Sequence, residues 1–275
     1  MRLISRTSIA MVLFASLVFS PTAGQAGAVP GTSLRISAGV GLKDALFALE
    51  KIYAQQQPSV VLEFNFAASG FLRKQIEQGA PVDLFLAPGR QHVQALLDGG
   101  FTDSGRCCAL LGNELVLVVA REKQHQIKGF ADLVAHAQSF TVGLPDMVPA
   151  GTYARQTLAS LGLWDKLESR MVYGKSVRQV LAYVESGNVD AGLVFASDSS
   201  LLNSGVVACA APSDSHAPIV FSMAGMLASP HPRELREFMT FLQGEQAASI
   251  FRRYGFTPLF PGAGGAVRMQ NTPVR

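Results

Sequence analysis

An α/β fold in two lobes, with mostly parallel sheets flanked by helices, is predicted by three observations. Strand-like and helix-like patterns alternate along most of the chain, as they do where parallel strands are joined by crossover helices. The run LVLVVA at residues 115–120 is apolar without a break, as expected of a strand covered on both faces. No internal repeat or low-complexity linker divides the 275 residues into independent domains. Two lobes joined by strands that pass between them fit all three.

The elements follow in order. Residues 1–28 read as an export signal. Arg2 and Arg6 form the positive start, residues 9–19 are an apolar run too short to span a bilayer, and Ala26-Gly27-Ala28 offers a small-x-small cleavage site, with Gly24-Gln25-Ala26 as a competitor. No Cys follows the signal, so a lipid anchor there is not expected. Roughly 247 residues remain, enough for two lobes of ordinary size. Leu34-Arg35-Ile36 opens a strand and Gly39-Val40-Gly41 turns. Leu42, Leu46, Leu49, Ile52 and Tyr53 then recur at helical spacing. Residues 60–66 make a second strand. A helix from Ser69 places Leu72 and Ile76 on one face and stops at Gly79. A short buried strand at 83–87 and a helix at 91–97 complete this part.

Beyond the strand at 115–120, residues 130–137 read as a short helix and 140–144 as a strand. Pro149-Ala150-Gly151 opens a helix that Gly162 closes, with Pro placed where its missing N–H is not needed. Ser176 caps a helix carrying Val180, Leu181 and Val184 and ending at Gly187. Strands are expected at 191–195, 206–210 and 219–227, and helices at 234–242 and 245–254. Residues 262–275, rich in Gly and Pro without periodicity, read as a flexible tail.

Composition narrows the function classes. Apolar residues make up 48% and charged residues 16% of the chain, and the net charge is +3. No basic stripe with interleaved aromatics is present, so nucleic acid is not an expected partner. Cys107, Cys108 and Cys209 fit no zinc spacing; one of the adjacent pair could bond Cys209, and the sequence does not choose. His92, His125, His136, His216 and His231 are scattered and read as surface or core residues. Trp164 follows a helix end and reads as a packing residue. There is no GxSxG elbow, phosphate loop or HExxH helix.

The stretch FNFAASGFLRKQIEQGAPVDLFLAP, residues 64–88, carries the most functional information. It reads as strand, tight loop, helix and strand, with Ser69 at the N-cap position and Gly70 behind it. The Ser69 hydroxyl and the free N–H groups of the first turn would face a crevice, a site for an anion built without a positive charge. An ordinary capped helix is the plainer reading. The strand-to-helix turns at Gly41, Ser69, Ala150 and Val177 all lie where such sheets bind ligands, beyond the carboxyl ends of strands.

Ala68-Ser69-Gly70, QIEQGAPVDLF, LGNELVLVVA, VPAGTYA, SVRQVLAYVESGNVDAGLVFASD and AASIFRRYGF, in that order along nearly the whole mature chain, resemble the molybdate-binding proteins of bacterial ABC importers. The resemblance implies the type II, two-lobed periplasmic binding protein fold, with residues 29–113 and 217–261 in one lobe and 114–216 in the other. It implies a tetrahedral dianion, molybdate or tungstate, held between the lobes by backbone N–H groups and hydroxyls. By position, Gly41 and Ser69 would serve from the first lobe and Ala150, Val177 and Phe195 from the second. The Ala150 and Val177 side chains would matter little, because only their N–H groups would bind. No cofactor and no catalytic residue are implied, and molybdenum would be bound only as molybdate. The partner would be an ABC permease in the inner membrane, and a periplasmic monomer is expected.

Two positions depart from the family pattern, which often has Ser at Gly41 and Tyr at Phe195. An anion oxygen left without a buried donor costs about 1–3 kcal/mol. A water, a neighbour such as Ser37, Lys43, Ser176 or Ser197, or a different oxyanion could accommodate the loss. Lys43 and Lys175 flank the site in sequence but read as solvated lysines. Asp83 and Asp198 read as loop-holding carboxylates, since an acid facing a dianion would repel it. Two rivals use other chemistry. A secreted phosphate- or sulfate-ester hydrolase would employ Ser69 as nucleophile, and needs a base that no nearby His supplies. A regulator's sensor module on the same fold conflicts with the export signal.

Overall fold

The computed structural model describes residues 31–260. The expected signal at 1–28 and tail at 262–275 lie outside the described residues. Among the described residues the strands are β1 (Thr32–Gly39), β2 (Val60–Ala67), β3 (Leu84–Pro88), β4 (Cys107–Gly112), β5 (Leu115–Val119), β6 (Phe140–Gly143), β7 (Met171–Gly174), β8 (Ala191–Phe195), β9 (Val206–Ala210), β10 (Val220–Gly225) and β11 (Thr257–Pro258). They form two sheets, ordered β11-β4-β10-β3-β1-β2 and β7-β6-β8-β5-β9. The first is built from residues before 113 and after 219, the second from the chain between them.

Both sheets are mixed, which refines the expectation of mostly parallel pairing. The β1–β2, β1–β3, β6–β7 and β6–β8 ladders are parallel. The strands at and after the crossings, β4, β5, β9 and β10, pair antiparallel with their neighbours. β4 runs into β5 through Asn113 and Glu114 alone, and this link carries the chain from the first sheet to the second. The fold is nonetheless the two-lobed α/β class that the alternation predicts.

The helices are α1 (Lys43–Gln56), α2 (Ser69–Glu77), α3 (Arg90–Asp98), α4 (Leu133–His136), α5 (Pro149–Ser160), α6 (Trp164–Leu167), α7 (Val177–Glu185), α8 (Ala196–Ser199), α9 (Pro232–Leu242) and α10 (Glu245–Arg253). Each longer one buries a stripe at helical spacing: Ala45, Leu46, Leu49 and Tyr53 in α1, and Val177, Val180, Leu181 and Val184 in α7. Burying one such Leu or Val side chain is worth about 1.5–3 kcal/mol. α2 and α7 end where Gly79 and Gly187 take φ of 90° and 69°, values that an L side chain adopts only under strain.

Several elements differ from expectation for physical reasons. Ser69 is not the N-cap of α2. Ala68 holds that place and Ser69 is the first helical residue, so its hydroxyl makes no cap bond. The helix expected at 130–137 is a 3₁₀ turn at Phe130–Asp132 followed by α4. β4 is hidden in sequence because its residues, CCALLG, include no β-branched or aromatic side chain. β7 is hidden because it has four residues and two are exposed. Ser176 caps α7 as expected, its hydroxyl accepting from the Gln179 N–H at 3.2 Å. Trp164 begins α6, packs against the core and carries the Arg155 guanidinium 5.9 Å above its ring. The three cysteines are free, and Cys209 lies in β9 on the second sheet while the adjacent pair lies in β4 on the first.

The start of α5 sits hard against the end of β6. A Cβ on Gly151 would lie 1.9 Å from the Gly143 carbonyl oxygen, a backbone atom that cannot rotate away. Gly151→Ala is therefore expected to lower Tm by about 5–10 °C in thermal unfolding, from about 2–3 kcal/mol of overpacking. An unchanged Tm would show that α5 can lift from the sheet at no cost.

Candidate functional site

All five residues singled out by sequence line one cavity. Gly41 follows β1, Ser69 starts α2, Ala150 and Val177 lie in the first turns of α5 and α7, and Phe195 ends β8. The cavity lies beyond the carboxyl ends of β1, β2 and β3 on one side and of β8 on the other, so both sheets wall it. It offers ≈ 20 Å³ to the centre of a water-sized sphere. That corresponds to a pocket of about 3 Å radius, room for one small polyatomic ion.

Its chemistry comes from backbone. By helix geometry the first turns of α2, α5 and α7 leave N–H groups without intrahelical partners. Pro149 at the first position of α5 has no N–H, and the Gly151 and Thr152 N–H groups donate to the Val148 carbonyl. The Ala150 N–H lies between them. Three helix starts, each helix nine residues or longer, bring the positive ends of their dipoles to one small space. No charged side chain lines the cavity. Ser69 supplies its one side-chain hydroxyl, which is fully buried and makes no hydrogen bond in the protein. A buried hydroxyl without a partner costs about 1–3 kcal/mol, so an acceptor in the cavity would relieve it.

The far wall is aromatic. Phe195 is 2% exposed and packs edge-on against Phe221 at 5.4 Å between centroids. Tyr153 flanks Phe195 at 6.1 Å, and Phe256 flanks Phe221 at 5.3 Å. Burial pushes the Tyr153 hydroxyl up to about 12, opposed by a hydrogen bond that its oxygen accepts from the backbone of Val220, so it stays neutral at ordinary pH.

None of the neighbours considered as replacement donors, Ser37, Lys43, Ser176 or Ser197, lines the cavity. Ser176 caps α7, Ser197 accepts from Asn113 Nδ2 at 2.8 Å, and the Lys43 ammonium lies 5.7 Å from the centre of the Phe47 ring. Lys175 is exposed and also outside the lining. Asp83 is structural, its carboxylate accepting from the Arg35 N–H and the Ser229 hydroxyl. A larger surface groove of ≈ 390 Å³ runs past Asp83, Phe101 and Leu227, but its buried carboxylate is already satisfied in this way.

The sequence reading missed the contacts between the two halves. The Gly70 N–H donates to the Met147 carbonyl at 3.0 Å, and a Cβ on Gly70 would come within 2.7 Å of Met147 Cα. The preceding Asp146 adopts φ of 67°, uncommon for a residue with a side chain, in the loop that presents this carbonyl. Arg178 bridges Asp198 and Asp44 at 2.7 and 2.8 Å. Gly70 was visible in sequence as a residue with no side chain beside Ser69. Nothing local marked Met147 or Asp44. Among the described residues no cluster of three or more His, Cys, Asp or Glu is placed to hold a metal ion. No described helix is long and apolar enough to cross a membrane.

Two mixed α/β halves walling a small uncharged cavity define the type II binding-protein architecture. The chain belongs to the family described as "Bacterial extracellular solute-binding protein", whose profile matches residues 34–257. It is 39% identical over 225 residues, 82% of this chain and 86% of the other, to YvgL of Bacillus subtilis (strain 168), which is named as a candidate ABC transporter substrate-binding lipoprotein. It is 32% identical over 226 residues, 81% of this chain and 89% of the other, to the molybdate-binding protein ModA of Haemophilus influenzae. The solved periplasmic molybdate-binding protein of Azotobacter vinelandii shares the fold with a TM-score of 0.72 at 22% identity, covering 82% of this chain and 98% of that one.

Asp198 sits beside the cavity, fully buried, with Oδ2 unpartnered. Burial pushes its carboxyl from 3.8 up to about 6, opposed by Arg178 and assisted by the charge of Asp44. Between about pH 4 and 6 the folded protein keeps a proton that the unfolded chain has released, so this group's contribution to stability declines as pH rises through that window. Carbon-13 NMR of the Asp carboxyls is expected to show one midpoint near pH 6 that disappears in Asp198→Asn. A midpoint below 4 would mean that Arg178 outweighs burial.

Proposed function

We propose that this chain captures molybdate or tungstate outside the cytoplasm and delivers it to an ABC permease in the inner membrane. The observation that carries this reading is the Ser69 hydroxyl, buried and unpartnered at a helix start, in a cavity with three such starts and no charged side chain. Fixed dipoles take the place of water around the oxyanion, and closure strengthens each hydrogen bond by excluding solvent. The ligand-binding groups are the N–H groups of Gly41, Ser69, Ala150 and Val177 and the Ser69 hydroxyl, with Phe195 as an apolar wall. Residues 29–113 with 217–261 form one lobe and 114–216 the other. Ligand binding shifts an equilibrium between open and closed arrangements. The mature protein is an exported, periplasmic monomer that needs no cofactor and carries out no chemistry. An ester hydrolase would need a base at Ser69, and no His, Asp, Glu or Lys lines the cavity.

A second reading, a smaller or differently substituted oxyanion, is favoured by one feature. Ser69 is the cavity's only side-chain hydroxyl, and the wall opposite is formed by Phe195 and Phe221. Calorimetric titration of the mature protein with molybdate, tungstate, sulfate, phosphate and chromate separates the two. Tight molybdate binding with sulfate excluded supports the first reading, and heat with another anion only supports the second. Ser69→Ala is expected to weaken binding about 10- to 100-fold through loss of one charge-assisted donor.

Gly70→Ala tests closure. The added methyl would meet Met147 and hold the halves apart, although Gly70 lies at a helix start where Ala folds readily. Molybdate affinity is expected to fall at least tenfold while Tm without ligand stays within about 2 °C. Unchanged affinity would place the bound state in a more open arrangement.

A further inference from the structure

We infer that Arg178 is a positioning residue that latches the two halves together over the cavity, and that Asp44 is the catch. The inference rests on the reading of the cavity as an anion site and adds to it the group that holds it shut.

Arg178 is the second residue of α7, next to Val177, which lines the cavity. A cation there opposes the helix dipole, which favours acidic residues in the first turn. A local rule broken at one position beside a site points to a role that outweighs it. The contacts show what that role is. Arg178 Nε donates to Asp198 Oδ1 at 2.7 Å, and Nη2 donates to Asp44 Oδ2 at 2.8 Å. Asp198 is in α8, three residues after Phe195 and in the same half as Arg178. Asp44 is in α1, three residues after Gly41 and in the other half. One guanidinium thereby ties together the segments that carry three cavity-lining residues, Gly41, Val177 and Phe195.

The two ion pairs differ in what they need. Asp198 is fully buried and lies in the same half as Arg178, so this pair does not itself bridge the halves. Asp44 is 39% exposed and belongs to the other half, so its pair forms only on closure. Arg178 itself does not line the cavity. It therefore locks the cage without forming a salt bridge to the guest.

Molybdate is the probe for the test, followed by stopped-flow association and dissociation. Arg178→Gln would strand the buried Asp198 and endanger the fold, so the decisive variant is Asp44→Asn, which leaves the Arg178–Asp198 pair in place. Dissociation is expected to speed up about three- to tenfold while association stays within about twofold, and Asp44→Glu is expected to restore the slower rate. Dissociation at the wild-type rate in Asp44→Asn, or an equal loss in association, overturns the latch. Small-angle scattering separates this inference from the ligand assignment. If no form takes up molybdate, the function proposed above fails. The latch then stands if ligand-free Asp44→Asn has a larger radius of gyration than wild type, and falls if the two are equal.

Discussion

The free amides at the starts of α2, α5 and α7 are the constraint on which the rest depends. A helix cannot satisfy its own first N–H groups, and at a surface water would do so. Here three helix starts meet at a small cavity lined by Gly, Ala, Val, Pro and Phe residues and by Ser69, with room for few waters. The architecture serves this meeting. Parallel ladders β1–β2 and β6–β8 send their carboxyl ends toward the cavity, each followed by a turn or helix that starts there. Small residues are required at the joins: Gly151 lets α5 sit against β6, and Gly70 lets α2 approach the loop at Met147.

Charge is kept at one remove. Asp198 and Arg178 neighbour the cavity without lining it, and each is largely balanced by the other. Asp83, an acid within the same distinctive motif, accepts from backbone and hydroxyl donors at the start of β3, the end of the strand away from the cavity. The result is a cavity whose polarity is set by fixed dipoles. Amides do not titrate, and dipoles closed off from solvent are screened little by salt.

Much of this was legible in the sequence because the key positions sit at local boundaries. Ser69, Ala150 and Val177 each follow an apolar run and open an amphipathic one, and that switch of period is written within a few residues. The fold class followed from the same alternation. What escaped was contact across distance. Arg178 and Asp44 are 134 positions apart, and no pattern near either names the other. The sheet senses also escaped, because alternation of strands and helices does not say which strands pair, and β4 went unread before the apolar run of β5. Ser69 was misplaced by one position: a serine before a helix usually caps it, whereas here Ala68 takes that place and leaves the hydroxyl unspent.

The aromatic row Tyr153, Phe195, Phe221 and Phe256 passes from the second half into the first without interruption. Phe195 ends β8 in one sheet and Phe221 belongs to β10 in the other, so the row joins the two sheets. On the function proposed above, opening would divide the amides of α2 from those of α5 and α7, and a ring stack shared by both halves would be the part of the cavity wall that such a movement has to shear or carry with it.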